Sequence, residues 1–166
     1  MDYTYLLVHL AEAASAALIV HDKGVFGTDV PIHKKFFLKS NEPGSAILIP
    51  MASKAFARGG DDKNGVHQQF KSYLNNFLHQ HKMRRLPLER FSGNRLTFCF
   101  LVLQMYFLAD QMNQYLEFDA SNCLLQAVKS DLKVPEYLAG CKALGLVSHL
   151  IMLPLCHKLR TLILAF

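Results

Sequence analysis

Residues 96–109 read Leu-Thr-Phe-Cys-Phe-Leu-Val-Leu-Gln-Met-Tyr-Phe-Leu-Ala, and only Thr97 and Gln104 among them are clearly polar. A helix built on this run is apolar nearly all round, so it must lie inside something. At about 1.5 Å per residue, residues 96–108 span roughly 20 Å, short of the roughly 20 apolar residues that cross a bilayer. The run is therefore expected to be the central helix of a bundle, with Phe98, Leu101, Val102, Met105 and Leu108 in the core. Past it, Asp110, Gln111, Asn113 and Gln114 restore a polar face while Met112, Tyr115, Leu116 and Phe118 continue the apolar stripe.

Such a helix needs neighbours, and the chain supplies them. Residues 3–20 are rich in Ala and Leu, with Leu6, Leu10, Ala13, Ala14, Ala17 and Leu18 at helical spacing before Lys23-Gly24 ends the pattern. Val66, Phe70, Tyr73, Leu74, Phe77 and Leu78 mark one face of another helix, with Asn64 as its expected N-cap. The opposite face carries His67, Gln68, Lys71, Asn75, His79 and Lys82. Pro87 stops this helix from running into the next, which Ser92 or Asn94 can cap. After a turn at 119–122, Leu124, Leu125, Val128 and Leu132 form a further stripe. Pro135 with Glu136 marks the first turn of another helix, in which Gly140 and Gly145 allow close backbone approach. Residues 156–166 offer one last helix.

Two stretches read differently. Residues 24–31 contain Gly24, Gly27, Asp29 and Pro31, which is turn chemistry. The short apolar runs 35–39 and 46–49, separated by Asn41-Glu-Pro-Gly, suggest a hairpin or extended arms. Residues 57–65, with Gly59, Gly60, Asp61 and Asp62, read as an exposed flexible loop. The expected fold is mainly α: a small helical bundle with an irregular or short-hairpin segment near residues 24–53. Residues 1–166 form one domain, with 1–55 an N-terminal helix plus irregular region and 56–166 the helical region. A chain of about 150 residues can bury roughly 70% of its unfolded surface, so no staples are required.

Charge is unevenly placed. Of the 18 Lys and Arg in the chain, Lys54, Arg58, Lys63, Lys71, Lys82, Arg84, Arg85, Arg90 and Arg95 fall within one quarter of it, against Asp61, Asp62 and Glu89. The formal net charge of +5 originates there. A local positive field attracts phosphate, and it also serves simply as a solvated helix face. The best binding candidates are Lys82, Arg84, Arg85, Arg90 and Arg95, near Phe91, because Arg grips phosphate while an aromatic ring packs or stacks. The competing reading gives Asn94 and Arg95 the task of fixing the angle at which the chain enters the next helix.

Catalytic patterns are weak. Asp61 and Asp62 could share a magnesium ion, but adjacent carboxylates in a glycine loop are usually turn formers. The loop lacks the glycine-to-lysine spacing of a phosphate-binding loop. His79 and His81 are two apart, on different helix faces, whereas a helical metal pair needs three or four. Cys99, Cys123, Cys141 and Cys156 share no chelating spacing and read as inert thiols of a reducing compartment. No metal, cofactor or small-molecule substrate is implied. Residues 1–20 lack a positive leader and contain His9 and Glu12, so an intracellular place, nucleus or cytoplasm, is expected.

Two stretches resemble a known family. Leu-Pro-Leu-Glu-Arg-Phe-Ser-Gly-Asn-Arg at 86–95 is followed by Asn-Cys-Leu-Leu-Gln-Ala-Val from Asn122 and Val-Pro-Glu-Tyr-Leu-Ala-Gly-Cys-Lys-Ala-Leu-Gly-Leu from Val134. These are similar to elements of transposon-derived, hAT-like transposase-related proteins, over about residues 56–155. After Arg95, Leu-Thr-Phe-Cys-Phe stands in place of a Phe- and Asn-rich continuation. The resemblance implies a piece of a longer chain whose nuclease core, with its metal-binding carboxylates, lies elsewhere. Three readings follow. The first is a non-catalytic helical fragment with weak, non-specific binding to nucleic acid or to another protein chain. The second is a small membrane-associated helical protein, suggested by residues 96–108 and 159–166. The third is a metal-dependent nuclease using Asp61 or Asp62.

Overall fold

The computed structural model describes residues 3–26, 44–91, 95–152 and 154. Among them the regular structure is helical: α1 (Tyr3–Phe26), α2 (Gly44–Phe56), α3 (His67–Tyr73), α4 (Asn75–Gln80), α5 (Arg95–Phe118), α6 (Cys123–Leu132) and α7 (Pro135–Val147), then a π-helical turn Ser148–Met152. The mainly α expectation holds. Runs 35–39 and 156–166 lie outside the described residues.

The expected strand at 46–49 is corrected. These residues belong to α2, and Gly44, Ser45, Ala46, Ile47, Leu48 and Ile49 are all buried. A short apolar run bounded by turn residues fits a buried strand and a buried helix equally, and here tertiary packing decides. Helix α2 packs against α5, α6 and α7, and it is helical despite Pro50 in its interior. Glycines make the crossing with α7 possible. A Cβ on Gly44 would run into the Tyr137 ring, and one on Gly140 would meet Ser45 Oγ at 2.8 Å. Helix α1 also outlasts its expected end, continuing through Gly24 to Phe26, whose ring meets Tyr137 edge-on at 5.8 Å.

Helix α5 runs down the core as expected, with Leu101, Val102, Met105 and Leu108 buried, joined by Met112, Tyr115 and Leu116. The Phe98 side chain lies outside the described residues. The helix is not enclosed all round, because Tyr106 and Phe107 are each 44% exposed. Around its second half the rings of Phe56, Phe70 and Tyr115 converge, with centroids 4.5 to 6.0 Å apart. Burying each of these side chains contributes about 2 kcal/mol, and favourable ring geometry adds about 1 kcal/mol per pair.

The loop before α3 is exposed but hydrogen-bonded. Asp61 Oδ1 accepts from the backbone N–H groups of Lys63 and Asn64, both at 2.9 Å, and Val66 N–H donates to Ala55 O at 2.7 Å. Asn64 is not the cap of α3: Val66 occupies that position and makes no side-chain capping bond. Instead the Asn64 carbonyl accepts from Asn122 Nδ2 at 3.0 Å. Asn122 also caps α6, its Oδ1 accepting from Leu125 N–H at 3.0 Å, so one side chain ties the loop to the bundle. Helices α3 and α4 share one hydrogen-bond ladder, with a local irregularity at Leu74.

Candidate nucleic-acid interface

Helix α4 ends in a way that shapes the basic surface. Met83 N–H donates back to Leu78 O at 2.8 Å and Lys82 N–H to His79 O at 3.0 Å. This bond pair is a Schellman motif, and its hinge residue adopts the left-handed conformation that glycine normally supplies. Here the hinge is Lys82, with φ of 53°. A side chain in that conformation costs roughly 1 kcal/mol, partly offset by placing a cation at the negative end of a helix.

Past the hinge, residues 84–91 form an irregular strap. Leu86 and Leu88 are buried and anchor it on the core, while Arg84, Arg85, Glu89 and Arg90 are exposed. Ser53 clamps the strap from α2: its hydroxyl donates to Glu89 O at 2.9 Å and accepts from Phe91 N–H at 2.7 Å. On the α5 side, Glu89 N–H donates to Gln104 Oε1 at 3.3 Å.

Of the site residues expected from sequence, Lys82 and Arg84 come together. With Lys71, Asn75, Leu78, His79 and Met83 they line an open groove of about 450 Å³ along α4. Arg85 and Arg90 are exposed on the strap but do not line it. Arg95 is the first residue of α5, and its side chain lies outside the described residues. Lys71, one of the clustered cations, and His79, a member of the polar helix face, complete the groove. Among the described residues no ion pair engages Lys71, Lys82, Arg84, Arg85 or Arg90. Lys129 and Lys133 differ, both being spent on Glu117 at 3.0 and 2.8 Å.

The other sequence candidates resolve into structural roles. Backbone N–H groups from Asn64 and Lys63 hold the Asp61 carboxyl below its ordinary range, so this carboxylate closes its own loop. Among the described residues no three His, Cys, Asp or Glu side chains are placed to hold a metal ion. Cys141 is buried, and desolvation pushes its thiol up to about 12. The side chain of Cys99 and all of Cys156 lie outside the described residues. No described helix is long and apolar enough to cross a membrane.

A second feature had no signal in the local sequence. Phe77 on α4 and His81 just past its end reach across to Phe107 on α5, with centroid distances of 5.6 and 5.7 Å, and they contact each other at 4.2 Å. On the other flank of α5, Lys142 Nζ stands over the Tyr106 ring at 5.7 Å. Comparison with protein-family models, curated proteins and solved structures finds no match to the chain.

Proposed function

We propose that this chain is a non-catalytic helical module that binds nucleic acid weakly, without sequence preference and in a salt-sensitive way. The observation that carries the reading is the surface around the end of α4. There Lys71, Lys82 and Arg84 share one groove, Arg85 and Arg90 follow on the strap, and no ion pair among the described residues neutralises them. Cations left in this state neutralise phosphates and release counterions. The sequence carries no recognisable motif for reading base edges, so the proposed contact is with the phosphate backbone. Descent from a transposase-like ancestor and an intracellular location, nucleus or cytoplasm, belong to the same proposal. The first rests on the sequence motifs, and the second follows from the nucleic-acid reading itself.

The test is a salt titration of binding to a fluorescent oligonucleotide. Affinity should fall steeply between about 50 and 200 mM salt. Exchanging Arg84, Arg85 and Arg90 together for Gln should reduce the slope of log K against log salt by about 2 to 3, with the helical circular dichroism unchanged. No retention of DNA or RNA at about 50 mM salt would make the basic surface a solubility device only.

A further inference from the structure

We infer that the groove along α4 is a discrete site for a compact organic ligand carrying two or more phosphates, of the nucleoside diphosphate class. Its walls come from two directions. Lys71, Asn75 and His79 are exposed at i, i+4 and i+8 on one face of the ladder that runs from α3 into α4, a row about 12 Å long. The left-handed hinge at Lys82 then brings Met83 and Arg84 to the same groove. Lys71 and Arg84 are therefore gathered around one space by a backbone turn, and no local motif announces it.

The groove itself selects the ligand. Its volume of about 450 Å³ lies within the roughly 300–1,000 Å³ typical of small-molecule sites. Lys71, Lys82 and Arg84 supply cations, Asn75 adds an amide, and among the described residues no acid lines the space, so a lone phosphate would leave it undercompensated. Partly buried Met83 and the edge of buried Leu78 add an apolar stretch that suits the face of a base or sugar. A helix C-terminus ordinarily repels anions through its unpaired carbonyls. Here the carbonyls of Phe77, Leu78 and His79 accept from the N–H groups of His81, Met83 and Lys82 at 3.1, 2.8 and 3.0 Å, which blunts that repulsion. The site shares cations with the strand-binding surface proposed above but stands independently of it. Arg85 and Arg90 do not line the groove, so a strand running onto the strap needs them and the compact ligand does not.

The experiment is a calorimetric titration of the full chain with metal-free ADP, pyrophosphate and adenosine at about 50 mM salt. ADP should saturate a single site, pyrophosphate should bind more weakly, and adenosine should not bind measurably. Lys71→Gln and Arg84→Gln should each weaken ADP binding roughly tenfold, the loss expected for one hydrogen bond to a charged group. Lys82→Gly should weaken it similarly while raising the melting temperature, because glycine relieves the hinge, so lost binding there cannot be lost folding. Exchanging Arg85 and Arg90 together for Gln should leave ADP binding unchanged and weaken oligonucleotide binding. No saturation at about 1 mM ADP, pyrophosphate binding as tightly as ADP, or equal losses of ADP from the groove and strap variants would overturn the site. Oligonucleotide binding that persists in any of those cases leaves the strand reading standing. ADP binding without any oligonucleotide binding overturns the strand reading and leaves the site.

Discussion

Cys123 and Cys141 carry the same thiol in opposite settings. Cys123 is exposed at the first residue of α6, whereas Cys141 is fully enclosed on α7 with its acidity suppressed by burial. Because the thiolate is the reactive species, a polar thiol reagent at native pH should label Cys123 readily and leave Cys141 untouched until denaturant is added. Mass spectrometry of the labelled peptides checks this, and rapid native labelling of Cys141 would contradict the packing of α7. At this scale the sequence told part of the story. It pointed to an inert Cys141 from its apolar neighbours and to Lys82, Arg84, Arg85 and Arg90 from charge density, but it read Cys123 as an inert thiol too, which its exposure corrects. It held no sign that Lys82 turns the chain through a left-handed hinge, because that geometry depends on two backbone bonds rather than on residue type. Nor did it show Phe77 and Phe107 meeting, since that contact joins helices thirty positions apart along the chain.

Among elements, α2 departs furthest from local expectation. Two glycines, one in α1 and one in α2, separate two effects that are often confused. Gly24, within α1, has open space where a Cβ would go, so Gly24→Ala should stabilise by about 0.5–1 kcal/mol. Gly44, at the start of α2, faces the buried Tyr137 ring, so Gly44→Ala should destabilise by about 1–3 kcal/mol. Thermal melts should show shifts of opposite sign, and a neutral Gly44→Ala would mean that Tyr137 has room to move. Where an element carries its own start signal, the sequence could be read: Pro135 opens α7 with Glu136 in its first turn. Where the deciding contact is distant, as for the helix at 46–49 or for Asn64 bonding α6 rather than capping α3, local pattern misled.

At the scale of the whole molecule, stability is concentrated around α5, on which α2, α6 and α7 all pack. Leu101 is 1% exposed at that centre. Leu101→Asp would bury an unpaired carboxylate and should abolish cooperative unfolding. A denaturant titration that still gave a single sharp transition for the variant would disprove this account of the core. The enclosed position of α2 has a further consequence, and it concerns time. A helix of this length is marginal alone, and Pro50 removes one of its internal hydrogen bonds. Its partners α5, α6 and α7 follow it in the chain, most of them by fifty positions or more. Residues 44–56 therefore wait during synthesis, without lasting helical structure, until the later helices have emerged and can receive them. A segment buried along most of its length in the finished protein is thus expected to be among the last to acquire its shape.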